Sequence, residues 1–200
     1  MTTAIVANGQ IDSPTIIRSL ILRHNQIIAV DGGLVHCDKM GIQPHLIVGD
    51  FDSCPPELQH KYAHIRTILL KKDKDETDLE AAIREAHAKD TTLYAAWGYR
   101  IDHSLTNALL LTRYPGMKME TETEIVFAVD QAVQLHCKVG QTLSLIPLNG
   151  PVTGITTSGL KWELKSGKLD SHFIGISNVC VSATIQISVK SGSLLCVLQR

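Results

Sequence analysis

The sequence predicts an α/β protein in two parts: a mostly parallel sheet flanked by helices, then an all-β sandwich. Three observations predict it. Short apolar runs alternate with helical patterns through the first part of the chain. Those runs are continuously apolar, as strands are when both faces of their sheet are covered. After Tyr114-Pro115-Gly116 no convincing helix follows, and short strand-like runs recur between Gly, Asn, Pro and Ser. The change of pattern divides the chain into residues 1–118 and 119–200.

Ala4 to Ala7 reads as a buried strand. Ser13-Pro14 opens a helix, since Ser is a good N-cap and Pro suits the first helical position. Ile16, Ile17, Leu20 and Ile21 give that helix an apolar face. Ile27 to Val30 is the second strand, and Leu34 to Met40 a short helix closed by Gly41. Leu46 to Val48 is the third strand, with a helix from about Pro55 to Ala63. Thr67 to Leu70 is the fourth strand, Thr77 to Ala88 a clear helix, and Leu93 to Ala96 the fifth strand. The last helix runs from Asp102 to Arg113. Beyond it, Val126 to Val129, Val133 to Cys137, Thr142 to Ile146, Val152 to Thr156, Leu160 to Leu164, Val181 to Val189 and Leu194 to Leu198 read as strands.

The chain has 200 residues and 44% hydrophobic content, enough to bury a sizeable core. A net charge of −1 points to neither nucleic acid nor an anionic membrane as a bulk partner. No apolar run reaches the length of a membrane helix, and the N-terminus lacks a secretory-signal pattern. Five cysteines, none in a CxxC pair, predict neither a disulfide framework nor a zinc site, and fit a reducing cytoplasm.

The acids carry the most information. Asp31 follows the second strand, Asp50 and Asp52 the third, Asp73, Asp75 and Asp78 the fourth, and Asp102 the fifth. In a parallel sheet the carboxyl ends of the strands share one rim, where open α/β folds bind ligands. Clustered carboxylates need a counter-charge. An oxygen-only donor set favours a hard cation such as Mg²⁺, which completes its shell with water and phosphate. Lys71, Lys72, Lys74, Arg100 and His103 fall on the same rim and suit phosphoryl oxygens. Interleaved acids and bases are expected for metal-assisted phosphoryl transfer. Neither GxxxxGK[ST] nor a strand-linked GxGxxG is present.

Each motif alone also has an ordinary structural meaning. Asp31-Gly32-Gly33 is common turn chemistry. Thr77 with Glu80 makes a capping box, with Asp78 at the positive helix end. Asp102 suits a helix cap, Trp162 a packing position, and Ser177-Asn178 a turn. Gly49-Asp50-Phe51-Asp52-Ser53 is harder to dismiss, because in extended chain its two acids face the same way.

Taken together and in order, Asp31-Gly32-Gly33, Gly49-Asp50-Phe51-Asp52-Ser53, Asp73-Lys74-Asp75-Glu76-Thr77-Asp78 and Gly98-Tyr99-Arg100-Ile101-Asp102-His103 resemble the thiamine pyrophosphokinase family. Thr157-Ser158-Gly159-Leu160-Lys161-Trp162 and Ile176-Ser177-Asn178 continue the likeness, which runs from about Ala4 to Leu198. The resemblance implies a cytoplasmic homodimer with shared active sites that moves pyrophosphate from ATP to the hydroxyl of thiamine. It implies Mg²⁺ on Asp50, Asp52 and Asp78. Asp31, Gly32, Lys74, Thr77, Arg100, Asp102 and His103 are then expected around ATP, and Ser158, Trp162, Ser177 and Asn178 on the thiamine side. Tyr99 stands where the family often has glycine. The rival readings are a pterin-alcohol pyrophosphokinase and a non-catalytic nucleotide or thiamine-phosphate sensor.

Overall fold

The computed structural model describes residues 1–71, 73, 75–86 and 90–200, and it divides into two compact units. The first comprises Met1–Asn107 with Met119–Glu122, and the second Ala108–Lys118 with Thr123–Arg200. Lys72 and Lys74 lie outside the described residues.

In the first unit the elements run β1 (Thr3–Val6), α1 (Pro14–Ile21), β2 (Gln26–Val30), α2 (Gly33–Lys39), β3 (Leu46–Gly49), α3 (Pro56–Lys61), β4 (Thr67–Leu69), α4 (Asp78–Glu85) and β5 (Thr91–Tyr94). They continue into α5 (Ile101–Arg113) and β6 (Lys118–Glu120), each of which spans a boundary between the units. The sheet order is β5-β1-β2-β3-β4, and every pairing in it is parallel. Successive strands step away from β1 in one direction until β4, and β5 then returns to its other side. That reversal makes β1 the switch point at which this class of sheet opens a crevice. β1, β3 and β5 are buried along their whole length, with α2 packed on β1 and β2, and α4 on β2 and β3. Burial of both faces explains the continuous apolar runs.

The helices end where local chemistry directs. Gly41 at φ 63 follows the C-cap of α2, and the Ile42 amide returns to Cys37 O at 2.9 Å. Thr77 and Glu80 form the capping box of α4, with Thr77 Oγ1 accepting from Glu80 N at 3.2 Å and Glu80 Oε2 accepting from Thr77 N at 3.1 Å. Ser13 takes the N-cap position of α1, but its hydroxyl makes no capping bond. Instead Glu122 Oε1 accepts from the amides of Asp12 and Ser13, both at 2.9 Å. The helix expected from Asp102 begins one residue earlier. The Arg100 carbonyl accepts from Ser104 N at 3.0 Å, so Asp102 lies inside the first turn rather than capping it.

The second unit contains β7 (Glu124–Val129), β8 (Ala132–His136), β9 (Thr142–Ile146), β10 (Val152–Ser158), β11 (Gly167–Leu169), β12 (Gly175–Val179), β13 (Thr184–Ser188) and β14 (Leu194–Gln199). Within this unit β12-β9-β14-β7 and β11-β10-β13-β8 form antiparallel arrays. Alternate residues such as Leu143, Leu145, Ile185 and Ile187 enter one shared core, as in a sandwich. Residues Leu160 to Leu164 do not form the expected strand: Leu160 makes only an isolated bridge to Cys180, and side chains hold the rest as a loop. Ser177 and Asn178, which read as a turn, lie in β12, where Ser177 at φ 58 marks a break in register. Among the described residues, no helix is long and apolar enough to cross a membrane.

Candidate active site

The carboxyl rim of the first unit carries a cavity of about 320 Å³ beside the ends of β1, β2 and β5. Its walls include Asn8, Asp31, Thr77, Asp78, Arg100 and His103. Pairing of β2 with β3 sets Val30 beside Val48, and Asp31 N donates to Val48 O at 2.9 Å. Asp31 therefore lies next to Gly49-Asp50. A Cβ on Gly49 would stand 3.1 Å from Asp31 Cα, so glycine gives Asp31 its approach.

One oxygen each from Asp31, Asp50 and Asp78 falls within 4.8 Å of the others, a grouping that can hold a cation. Asp31 Oδ1 is buried and has no hydrogen-bond partner among the described residues. Burial pushes the Asp31 carboxyl pKa up; the Ser53 hydroxyl and Gly32 amide oppose this, and Asp52 and Asp78 add repulsion. The triad differs from the expected Asp50, Asp52 and Asp78. Phe51 takes φ 64 and turns the chain, breaking the alternation that would align the two acids. Asp52 is exposed, its amide donates to Asp50 Oδ1 at 3.0 Å, and Ser53 Oγ donates to Asp52 Oδ1 at 3.0 Å.

Arg100 and Asp102 hold each other in a two-bond ion pair, with Nη2–Oδ2 at 2.5 Å and Nε–Oδ1 at 3.2 Å. Arg100 keeps the Asp102 carboxyl pKa below the usual carboxylate range. Arg100 and His103 line the cavity, whereas Asp102 and Gly32 do not. Gly32 serves by being small, since a Cβ there would meet the Asn8 amide at 2.3 Å. Several lining groups carried no charge signal in the sequence. Asn8-Gly9 follows β1 on the same rim, and Gly9 N donates to Ala95 O at 2.6 Å. The buried Asn107 amide donates to Ala96 O at 2.7 Å and braces the opposite wall. The position of Asn8-Gly9 after β1 was the available clue, whereas Asn107 lies inside α5. Tyr99 also lines the cavity, and at φ 53 it adopts the left-handed conformation that favours glycine.

In the second unit Trp162 is 56% exposed, with Lys161 Nζ 4.6 Å from its ring centroid. Asn178 bonds the Trp162 backbone, and Ser177 N donates to Ser144 Oγ at 3.1 Å. Ser158 ends β10 and lines a separate groove with Gln134, Thr156 and Gln186; Trp162, Ser177 and Asn178 do not line it.

Residues 17–138 match the family model described as the thiamin pyrophosphokinase catalytic domain, and residues 124–194 that of its vitamin B1 binding domain. The chain belongs to the thiamine pyrophosphokinase family. Relatives include thiamine pyrophosphokinase 1 of Oryza sativa subsp. japonica, 25% identical over 172 residues, which cover 76% of this chain and 65% of the relative. Thiamine pyrophosphokinase 2 of Arabidopsis thaliana is 28% identical over 177 residues, or 76% of this chain and 64% of its own. The chain thus spans just under two thirds of these relatives. Crystal structures of thiamine pyrophosphokinase from Bacillus subtilis (TM-score 0.85, 22% identity, 100% and 99% of the two chains) and from yeast (0.83, 16%, 99% and 86%) share the fold. In family terms the acid-rich rim lies within the catalytic match, and the Trp162 loop within the vitamin-binding match.

Proposed function

We propose that the protein is a thiamine pyrophosphokinase, transferring the β,γ-pyrophosphate of ATP to the hydroxyl of thiamine with release of AMP. The observation that carries this reading is the carboxylate triad of Asp31, Asp50 and Asp78 beside a cavity that Arg100 lines, in a member of this family. The donor set is all oxygen, and one buried oxygen of Asp31 lacks a hydrogen-bond partner among the described residues, so the residues fit Mg²⁺. When bound there, magnesium supplies neutralisation of triphosphate charge.

The chain's own residues do the rest. Arg100, held by Asp102 through Nε and Nη2, offers its other N–H groups to phosphoryl oxygens as negative charge builds on them. The N-terminus of α4, fixed by its capping box, adds a positive dipole end beside Asp78. Asn8 and the Gly9 backbone border the space at the switch point. The thiamine oxygen attacks the β-phosphorus in line, an O–P bond forms, and the bond from that phosphorus to the bridging oxygen of AMP breaks. Asp52 accepts the hydroxyl proton in this scheme. It stands outside the triad and is exposed, whereas Arg100 holds Asp102 and depresses its basicity. The homodimer and the cytoplasmic setting belong to the same proposal; the five free thiols fit a reducing compartment.

The assay combines ATP, MgCl₂ and thiamine and separates the nucleotides. AMP with thiamine diphosphate is expected. ADP would mean simple phosphorylation, and unchanged ATP a binding protein. Asp52→Asn should lose nearly all turnover while keeping the stabilisation that magnesium gives the wild type; near-normal turnover would remove Asp52 from the mechanism.

A further inference from the structure

Asn178 is only 8% exposed, and its amide is committed to one loop. Its Nδ2 donates to Trp162 O at 2.7 Å, and its Oδ1 accepts from Trp162 N at 3.1 Å and from Val179 N at 2.8 Å. Both lone pairs of the oxygen are used, so this atom has no capacity left for a ligand. The side chain grips the Trp162 backbone on both sides, as the facing strand of an antiparallel pair would.

The rest of the loop is tethered in the same way. Lys161 N donates to Val179 O at 2.8 Å, and Gly159 N to Glu163 Oε1 at 2.9 Å. Leu164 N donates to Thr157 Oγ1 at 2.9 Å, and Thr157 N to Leu164 O at 3.0 Å. Backbone groups from Thr157 to Leu164 are thus held from two directions, while Trp162 lies 56% exposed. Holding a loop this firmly under an exposed ring makes sense when the ring is itself a contact surface. The Lys161 ammonium 4.6 Å from the ring centroid marks one face as attractive to cations.

We propose that Asn178 is a positioning residue: its side-chain amide presets the Trp162 indole to receive a flat cationic heterocycle. This rests on the thiamine reading above, and it assigns Asn178 an indirect role where direct substrate contact was expected. Ordering the loop in advance spares binding the cost of ordering it, so the effect falls on thiamine affinity rather than on ATP.

The chain has two tryptophans, so Trp97→Phe leaves Trp162 as the sole reporter. In that background Asn178→Ala should increase acrylamide quenching of Trp162 and raise KM for thiamine roughly tenfold, with KM for ATP unchanged. Asn178→Asp retains the two accepted bonds and loses the donated one, so it should fall between. In a Trp162→Ala protein the same Asn178 changes should add little to KM. Unchanged quenching, or a KM effect equally large without Trp162, overturns the proposal. Should Asn178→Ala fail to fold, the Asp variant carries the same comparison. If the wild type forms no AMP, the thiamine reading fails, and quenching alone still decides whether Asn178 holds the ring.

Discussion

Replacing Asp31 by Asn should stabilise the cation-free protein and at the same time abolish its response to magnesium. Ligand oxygens of Asp31, Asp50 and Asp78 lie within 4.8 Å of one another. At that separation two carboxylates repel by about 3.5 kcal/mol at an effective dielectric of about 20, and by about 0.9 kcal/mol in bulk water. All three residues are half-buried at an open rim, so solvent screening brings the working value to about 1 kcal/mol per pair. Neutralising Asp31 removes two such pairs, roughly 2 kcal/mol, and relieves its burial as a charge. The change forfeits the smaller electrostatic help of the nearby Ser53 hydroxyl and Gly32 amide, about 1 kcal/mol. The balance favours the variant by about 1 kcal/mol, a rise of about 2–4 °C in Tm measured in EDTA. Wild-type Tm should climb as magnesium chloride is added, because the ion binds only the folded state; that of the variant should stay flat. A variant that melts below wild type in EDTA yet still gains stability from magnesium would refute the shared-cation geometry.

Gly33→Ala would set a Cβ 2.0 Å from Val6 O and 2.8 Å from Val6 C. Backbone must move, so a loss of about 3 kcal/mol or more is expected in urea unfolding. Glu122→Ala leaves the Asp12 and Ser13 amides without their acceptor; a loss of about 1–2 kcal/mol, read as a lower urea midpoint at unchanged slope, is expected. Burial, and then the hydrogen bond to Asp38, push the Tyr62 phenol from 10.0 up to about 12. The folded value is the higher one, so this contribution is intact below pH 10 and lost as pH rises towards 12. An alkaline absorbance titration should show a tyrosine step near 12 that is missing in Tyr62→Phe.

Much of the first unit was legible because burial, period and capping agree there. Strands covered on both faces give continuous apolar runs, and the capping box of α4 is a local signal that local geometry obeys. Asp31, Asp50 and Asp78 were legible as acids of one rim, because parallel strands send their carboxyl ends to one side. Their partition was not. Val30 opposite Val48 brings Asp31 to Gly49, a long-range pairing with no local signature. The left-handed Phe51 takes Asp52 out of line, and no residue-type preference announces that conformation for phenylalanine. In the second unit, alternation in Leu160-Lys161-Trp162-Glu163-Leu164 imitates a strand, yet side chains of Asn178 and Thr157 take the Trp162 and Leu164 amides instead. Gly167–Leu169 is too short to register as a run.

The backbone of the rim shows why the site required a large core beneath it. Asp31, Phe51, Ala95 and Tyr99 all take positive φ without being glycine. Such conformations cost on the order of 1–3 kcal/mol each and persist only where surroundings over-determine them. Two of the four follow a strand within one residue, Asp31 after β2 and Ala95 after β5, and Phe51 comes two residues after β3. An extended chain leaving those strands would carry its next polar groups outward past the sheet. A left-handed residue turns the chain at the rim, which is how Asp31 comes to face Asp50 and Asp78. Ile28, Val48 and Leu93, all fully buried, anchor the strands that make these turns. Strain at the edge and burial in the middle are therefore two sides of one design, in which a rigid sheet holds three carboxylates within 4.8 Å of one another.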